Sequence, residues 1–87
     1  MAEMVVRNSD VLSLELGVPE GHQHLRATFE LADGTRLILQ EATVAALARA
    51  YVGLLTHPSR RSVKLVGRQL AAPQLKEGFA PWQLLEE

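Results

Sequence analysis

Three stretches in the first half of the chain alternate between apolar and polar residues, which is the pattern of half-buried β-strands. The first is VLSLEL, residues 11–16, whose three leucines point to one face. The second is HQHLRATFEL, residues 22–31, and the third is TRLILQ, residues 35–40. The loop residues GVPEG separate the first two stretches. The alternation therefore predicts three consecutive strands.

The sequence ADGT between the second and third strands predicts a hairpin with a three-residue loop. A two-residue turn at Asp33 and Gly34 would mix polar and apolar side chains on both faces. A type I turn with Gly34 in the left-handed bulge position keeps one face apolar and sets Glu30 opposite Arg36. The cross-strand pairs expected from this loop are Leu31 with Thr35, Phe29 with Leu37 and Ala27 with Leu39.

The spacing of apolar residues changes after the third strand. They now recur three and four positions apart, which indicates an amphipathic helix over about residues 42–56, ended by Pro58. Five alanines in this segment favour a helix. The expected apolar stripe consists of Val44, Leu47, Ala48, Tyr51, Leu54 and Leu55.

Two more elements are expected after the helix. RSVKLVG, residues 61–67, is interpreted as a fourth strand. FAPWQLLEE predicts a short helical turn over about residues 80–86, because proline suits a first helical turn and apolar residues recur every third position. These recurring residues, Phe79, Trp82 and Leu85, are candidate anchors for a protein interface.

The element order β-β-β-α-β, with a C-terminal helical turn, predicts an α+β fold. A small antiparallel sheet with one amphipathic helix packed on one face is a common architecture of this class. With 87 residues, the chain is expected to form one domain, residues 1–87. A chain of this size buries a modest core, so self-association would help to stabilise it.

The charges are distributed unevenly along the chain, although the net charge is only −1. Residues 1–41 contain seven acids and three bases, residues 42–76 contain six bases and no acid, and residues 77–87 contain three acids. Segments of opposite charge can meet between two copies of one chain. Together with the aromatic tail, this leads us to expect a non-enzymatic protein–protein interaction module that is a homodimer.

The alternative function is nucleic-acid binding by the basic segment, residues 57–68. Its candidate phosphate-binding residues are Arg60, Arg61, Lys64 and Arg68. Cations along a strand can neutralise phosphates, but this segment has no aromatic residues between its bases, and the chain is not basic overall. The same charges could instead prevent edge-to-edge aggregation.

Catalytic and metal-binding motifs are scarce. The chain has no cysteine, and its six glycines form no phosphate-binding loop. His22 and His24 are weak candidates for metal ligands, because a strand would point both imidazoles to one face but a third ligand must come from elsewhere. Glu20, Glu30 and His57 are the candidate third ligands. We therefore expect no enzyme, no metal site and no cofactor.

The chain contains no apolar run of the length that a membrane span requires, about 20 residues. Its first ten residues also lack the basic start and apolar core of a secretion signal. These features lead us to expect a cytoplasmic protein that does not interact with membranes.

Overall fold

The computed structural model describes residues 2–74 and 80–87, and it confirms the α+β class. Within these ranges the chain forms five strands, one long helix and two short 3-10 turns. The elements are β1 (Val11–Gly17), β2 (Arg26–Leu31), β3 (Arg36–Gln40), α1 (Glu41–Thr56), β4 (Leu65–Gln69) and β5 (Trp82–Glu86). The chain divides into two compact units, residues 1–41 and residues 42–87.

The first unit is a three-stranded antiparallel sheet in the order β1-β2-β3. The β2–β3 hairpin has the predicted register, with Glu30 opposite Arg36 and Phe29 opposite Leu37. The Arg36 Nε atom lies 2.8 Å from Oε1 of Glu30, which confirms the predicted cross-strand ion pair. Because opposite residues share a face, Ala27, Phe29 and Leu31 lie on the apolar side of the sheet.

The loop of this hairpin is the predicted type I turn followed by a left-handed glycine. The Gly34 N–H donates to the Leu31 carbonyl at 3.0 Å, and Gly34 has a φ of 88°. The Thr35 N–H donates to Oδ1 of Asp33 at 2.9 Å. Hydrogen bonds from the side chain and backbone of Thr35 hold the pKa of the Asp33 carboxyl below its usual value. The turn is thus closed by local hydrogen bonds.

Strand β1 departs from simple alternation at its start. Val11 pairs with Leu31, but Ser13 pairs with Glu30, so the register shifts at Leu12. This β-bulge places Val11 rather than Leu12 on the apolar face, together with the later leucines of the strand. The prediction that Leu12, Leu14 and Leu16 share one face is therefore wrong for Leu12.

Strand β2 is shorter than predicted, because the chain turns before it. The His22 N–H donates to the Pro19 carbonyl at 3.0 Å, and Gly21 adopts a φ of 80°. The Leu25 N–H donates to Oε1 of Glu41 at 3.1 Å instead of joining the sheet. Residues 22–25 are therefore a loop.

Helix α1 confirms the predicted helix of residues 42–56, starting one residue earlier. It ends at Thr56, whose hydroxyl donates back to the carbonyls of Val52 and Gly53 at 3.0 and 3.2 Å. Pro58 follows two residues later, and the residue before a proline disfavours helical backbone angles. In the described ranges no helix has both the length and the apolarity to cross a membrane.

The second sheet corrects two predictions. The predicted strand 61–67 lies later, at 65–69, and the predicted C-terminal helical turn at 80–86 is wrong. Trp82–Glu86 is a strand that pairs antiparallel with β4, from Leu65 opposite Glu86 to Gln69 opposite Trp82. The pairing supplies β4 with backbone partners that a helical turn could not offer.

Few side chains are fully buried in the residues that the structure describes. The buried hydrophobic residues there are Ala27, Leu31 and Ala46, and only one of these is large. The helix and the three-stranded sheet belong to different units. Their packing and the assignment of residues 1–87 to one domain therefore stay predictions.

We predict that Gly34→Ala destabilises the chain by about 1–2 kcal/mol, because a Cβ atom is unfavourable at its left-handed φ. The matched control is Gly17→Ala in β1, where the φ is not positive and an added Cβ meets no atom within 4 Å. This control should be neutral or stabilising by about 0.5 kcal/mol. Urea denaturation measures both, and equal midpoints for the two variants would contradict the turn assignment.

Candidate functional site

The basic segment, residues 57–68, follows helix α1 and extends into strand β4. Arg60 and Arg61 are in the connecting stretch, and Lys64 immediately precedes β4. Arg68 lies within β4, opposite Gln83 of β5. The four cations are all exposed, and Arg60 and Arg61 lie in a connecting stretch after the helix, but Lys64 and Arg68 do not share a strand face as expected because Lys64 precedes β4.

Strand β5 brings acids to two of these four cations. Arg60 forms an ion pair with Glu86, and the Lys64 Nζ atom lies 3.7 Å from Oε2 of Glu87. The Glu87 N–H also donates to the Lys64 carbonyl at 3.1 Å, which continues the β4–β5 ladder by one residue. Exposed pairs of this kind each contribute about 0–1 kcal/mol, but they reduce the local positive charge.

The remaining two cations have no acidic neighbour in the part of the chain that the structure describes. Arg61 and Arg68 form no ion pair with any residue of 2–74 or 80–87. The sequence reasoning missed the acids because it placed them in a helical turn rather than in a strand beside the basic segment. The available signal was the two terminal glutamates, which follow a short apolar run that also suits a strand.

The predicted interface residues do not form one stripe. Trp82 and Leu85 are three residues apart on a strand, so they lie on opposite faces of the β4–β5 hairpin. Both are exposed, at 57% and 39%. Phe79 lies outside the described residues. The role of these three residues in an interface stays a prediction.

The Trp82 ring lies against Gly67 of β4. A Cβ atom on Gly67 would approach Cζ2 and Nε1 of Trp82 to 2.5 Å, which is closer than such atoms pack. Gly67 therefore leaves room for the indole, which covers the backbone of the neighbouring strand. This contact orients the chain's only tryptophan.

The two histidines of the weak metal candidate lie in the loop before β2 rather than in a strand. The Nδ1 atom of His24 is 3.5 Å from Oε2 of Glu41, whereas Glu30 is occupied by Arg36. Within the described ranges, no three histidine or acidic side chains come together as a metal site would require. His22 and His24 thus have no third ligand in this part of the chain.

Each unit has a partly open cleft among the residues that the structure describes. The cleft of the first unit, about 450 Å³, lies on the polar face of the sheet and includes Ser13 and Arg26. The cleft of the second unit, about 290 Å³, has a largely apolar lining. The second cleft is lined by Ala46, Arg49, Ala50, Gly53, Leu54, Arg60, Val63, Leu65, Leu84, Leu85 and Glu86.

The expected inward-facing stripe of α1 is divided between two sides of the helix. Leu54 lines the cleft of the second unit, together with the small residues Ala46, Ala50 and Gly53. Leu47, Tyr51 and Leu55, which were expected on the same inward face, are all more than 60% exposed. Small side chains at Ala46, Ala50 and Gly53 let neighbouring elements approach that side of the helix.

We predict that Gly67→Ala destabilises the β4–β5 hairpin by roughly 1–3 kcal/mol, because the added methyl group collides with the indole of Trp82. The emission maximum of Trp82 should shift in the folded protein. The control is Gly53→Ala, which has open space and should gain about 1 kcal/mol of helix stability without changing the emission. An unchanged emission spectrum in Gly67→Ala would contradict the contact.

The chain was compared with protein-family models, curated proteins and solved structures, and none of these gives a significant match.

Proposed function

We propose that this protein is a small non-enzymatic interaction module that acts as a homodimer. The observation that carries the proposal is the imbalance between exposed and buried apolar side chains. In the described ranges fifteen large hydrophobic residues are exposed, whereas only Leu31 is both large and buried. Extended apolar surface on a soluble protein is typical of interaction sites.

The small core supports association as a source of stability. Small domains bury a low fraction of their surface, and a second subunit adds the burial that the single chain lacks. Binding that favours only the folded state stabilises it by mass action. A partner would therefore contribute to folding as well as to function.

A second copy of the chain is the partner that its charges favour. Residues 1–41 carry a net charge of −4, and residues 42–76 carry +6. Two copies can bring these oppositely charged segments together without any other protein. Closed two-fold dimers are also the commonest form of homo-oligomer.

The non-enzymatic part of the proposal is based on the residues that line the two clefts. The apolar cleft contains no serine, threonine or histidine, and its carboxylate Glu86 is paired with Arg60. The polar cleft contains Ser13 but no histidine that could act as its base. Neither of these clefts therefore combines a nucleophilic side chain with a histidine that could activate it.

We predict that the protein sediments at twice the monomer mass at high micromolar concentration and dissociates on dilution. Its thermal midpoint should rise with protein concentration, because the dimer interface stabilises only the folded state. Analytical ultracentrifugation and scanning calorimetry over a hundredfold concentration range measure both effects. A protein that stays monomeric over the whole range, with an unchanged thermal midpoint, would contradict the homodimer.

Nucleic-acid binding is the second candidate function, and the two arginines that have no ion pair among the described residues favour it. Arg61 and Arg68 are exposed and make no ion pair in the described ranges, so each could contact a phosphate. Arg60 and Lys64 are less suitable because Glu86 and Glu87 already lie beside them. This candidate therefore depends on two cations rather than four.

For this candidate we predict weak, salt-dependent binding to single-stranded or duplex DNA and RNA, with a dissociation constant of about 1–100 µM. Two phosphate contacts correspond to a slope of about −2 in log affinity against log salt on duplex DNA. Fluorescence anisotropy measures both. Arg61→Gln/Arg68→Gln should abolish binding, whereas the control Arg60→Gln/Lys64→Gln should weaken it less. Equal losses in the two variants, or no binding at low salt, would count against this surface.

A further inference from the structure

Helix α1 is apolar around nearly its whole circumference. Its charged residues are Glu41, at the first position, and Arg49. A helix that is hydrophobic on all sides is normally covered on all sides. In this chain the side with Ala46 is buried, but the opposite side remains exposed. The second unit thus contains a helix with one covered and one uncovered apolar side.

The uncovered side is a continuous stripe, which we call the α1 stripe and define as Leu47, Tyr51, Val52 and Leu55. These residues are 61, 62, 55 and 66% exposed. At 100° per residue, Leu47 and Leu55 differ by about 80° around the helix axis, with Tyr51 between them. Arg49 lies about 160° away from Tyr51 and about 60° from Val52, so it borders only the Val52 edge of the stripe. The centre of the stripe, around Tyr51, is free of charge.

We infer that the α1 stripe packs antiparallel against the same stripe of a second copy, with Tyr51 close to the two-fold axis. The inference rests on the proposed homodimer and identifies its interface. With Tyr51 at the centre, Leu47 of one copy meets Leu55 of the other. Each contact occurs twice, as an isologous interface requires.

The charges near the helix ends favour the antiparallel arrangement. Glu41 lies at the N-terminal end of α1, and Arg61, which forms no ion pair among the described residues, follows its C-terminal end. Antiparallel helices bring the acidic end of one copy towards the basic end of the other, and their dipoles are also opposed favourably. A parallel pair would instead place like charges together. The charges at the helix ends therefore favour antiparallel over parallel self-association through this helix.

The size of the stripe indicates a weak dimer. Four partly exposed apolar side chains supply on the order of 100 Å² each, or about 400 Å² per copy. A standard interface buries about 800 Å² per partner, so this contact belongs with small and transient interfaces. We expect a dissociation constant in the micromolar range, which is consistent with an interface that opens when another partner competes for it.

Cysteine cross-linking tests the inference, because the chain has no cysteine of its own. A disulfide requires Cα atoms within about 7 Å, so it reports close approach. Tyr51→Cys should form a disulfide-linked dimer at least tenfold faster than Arg49→Cys under mild oxidation. Arg49 is an exposed position on the same helix but lies about 160° from Tyr51, the expected centre of the contact. Circular dichroism of both reduced variants controls for folding.

A mixture of two further variants tests the direction of the helices. Leu47→Cys, carrying a cleavable tag, is mixed with untagged Leu55→Cys and oxidised. An antiparallel pair yields mainly the mixed disulfide, whereas a parallel pair yields the two symmetric ones. If Tyr51→Cys does not fold, this mixture provides the test on its own.

The outcomes separate this inference from the proposed function. If the wild-type protein is dimeric but Tyr51→Cys cross-links no faster than Arg49→Cys, the interface lies elsewhere and the inference is overturned. Mainly symmetric products from the mixture also overturn it. If the wild-type protein is monomeric at all concentrations, the homodimer and this interface fail together. Fast cross-linking of Tyr51→Cys with a predominantly mixed product supports both.

Discussion

The first unit depends on the burial of one face of strand β2. Ala27 and Leu31 are both buried, both belong to this strand and both lie on the same side of it. Strands β1 and β3 pair with its two edges, so their apolar faces must match the face that β2 buries. The left-handed glycine of the hairpin fixes the register of β3 against β2. The bulge fixes the register of β1 against β2. A shift of one residue in either pairing would expose the apolar face.

The hairpin could be predicted from the sequence because two independent signals agreed there. The turn residues Asp33 and Gly34 favour a three-residue loop, and the alternation on both sides selects the same register. The helix was equally predictable, since its periodic pattern is long. The β1 bulge was not predictable, because Leu12 fits the alternation as well as its neighbours do. Only pairing with Leu31 and Glu30 reveals the extra residue.

The second unit was harder to predict because its structure is decided by contacts between distant residues. Residues 82–86 have spacing that suits a helix or a strand, and a run this short does not distinguish them. Pairing with β4 makes them a strand, and the same pairing brings Glu86 and Glu87 to the basic segment. The candidate site could therefore be predicted as a set of cations, but not as a set partly neutralised by the chain itself. The periodicity of α1 likewise predicted an apolar stripe, but it did not indicate that Leu47, Tyr51 and Leu55 face outwards.

The lengths of the connections have a consequence for the formation of the two sheets. In the first unit, eight residues separate β1 from β2 and four separate β2 from β3. Twelve residues separate β4 from β5. Because the entropy lost on closing a loop increases slowly with its length, the β4–β5 pairing loses more chain entropy on closure than either pairing of the first sheet. The ion pairs of Arg60 and Lys64 with the terminal glutamates form only together with this pairing, so they depend on the closure of the longest loop between paired strands in the described residues.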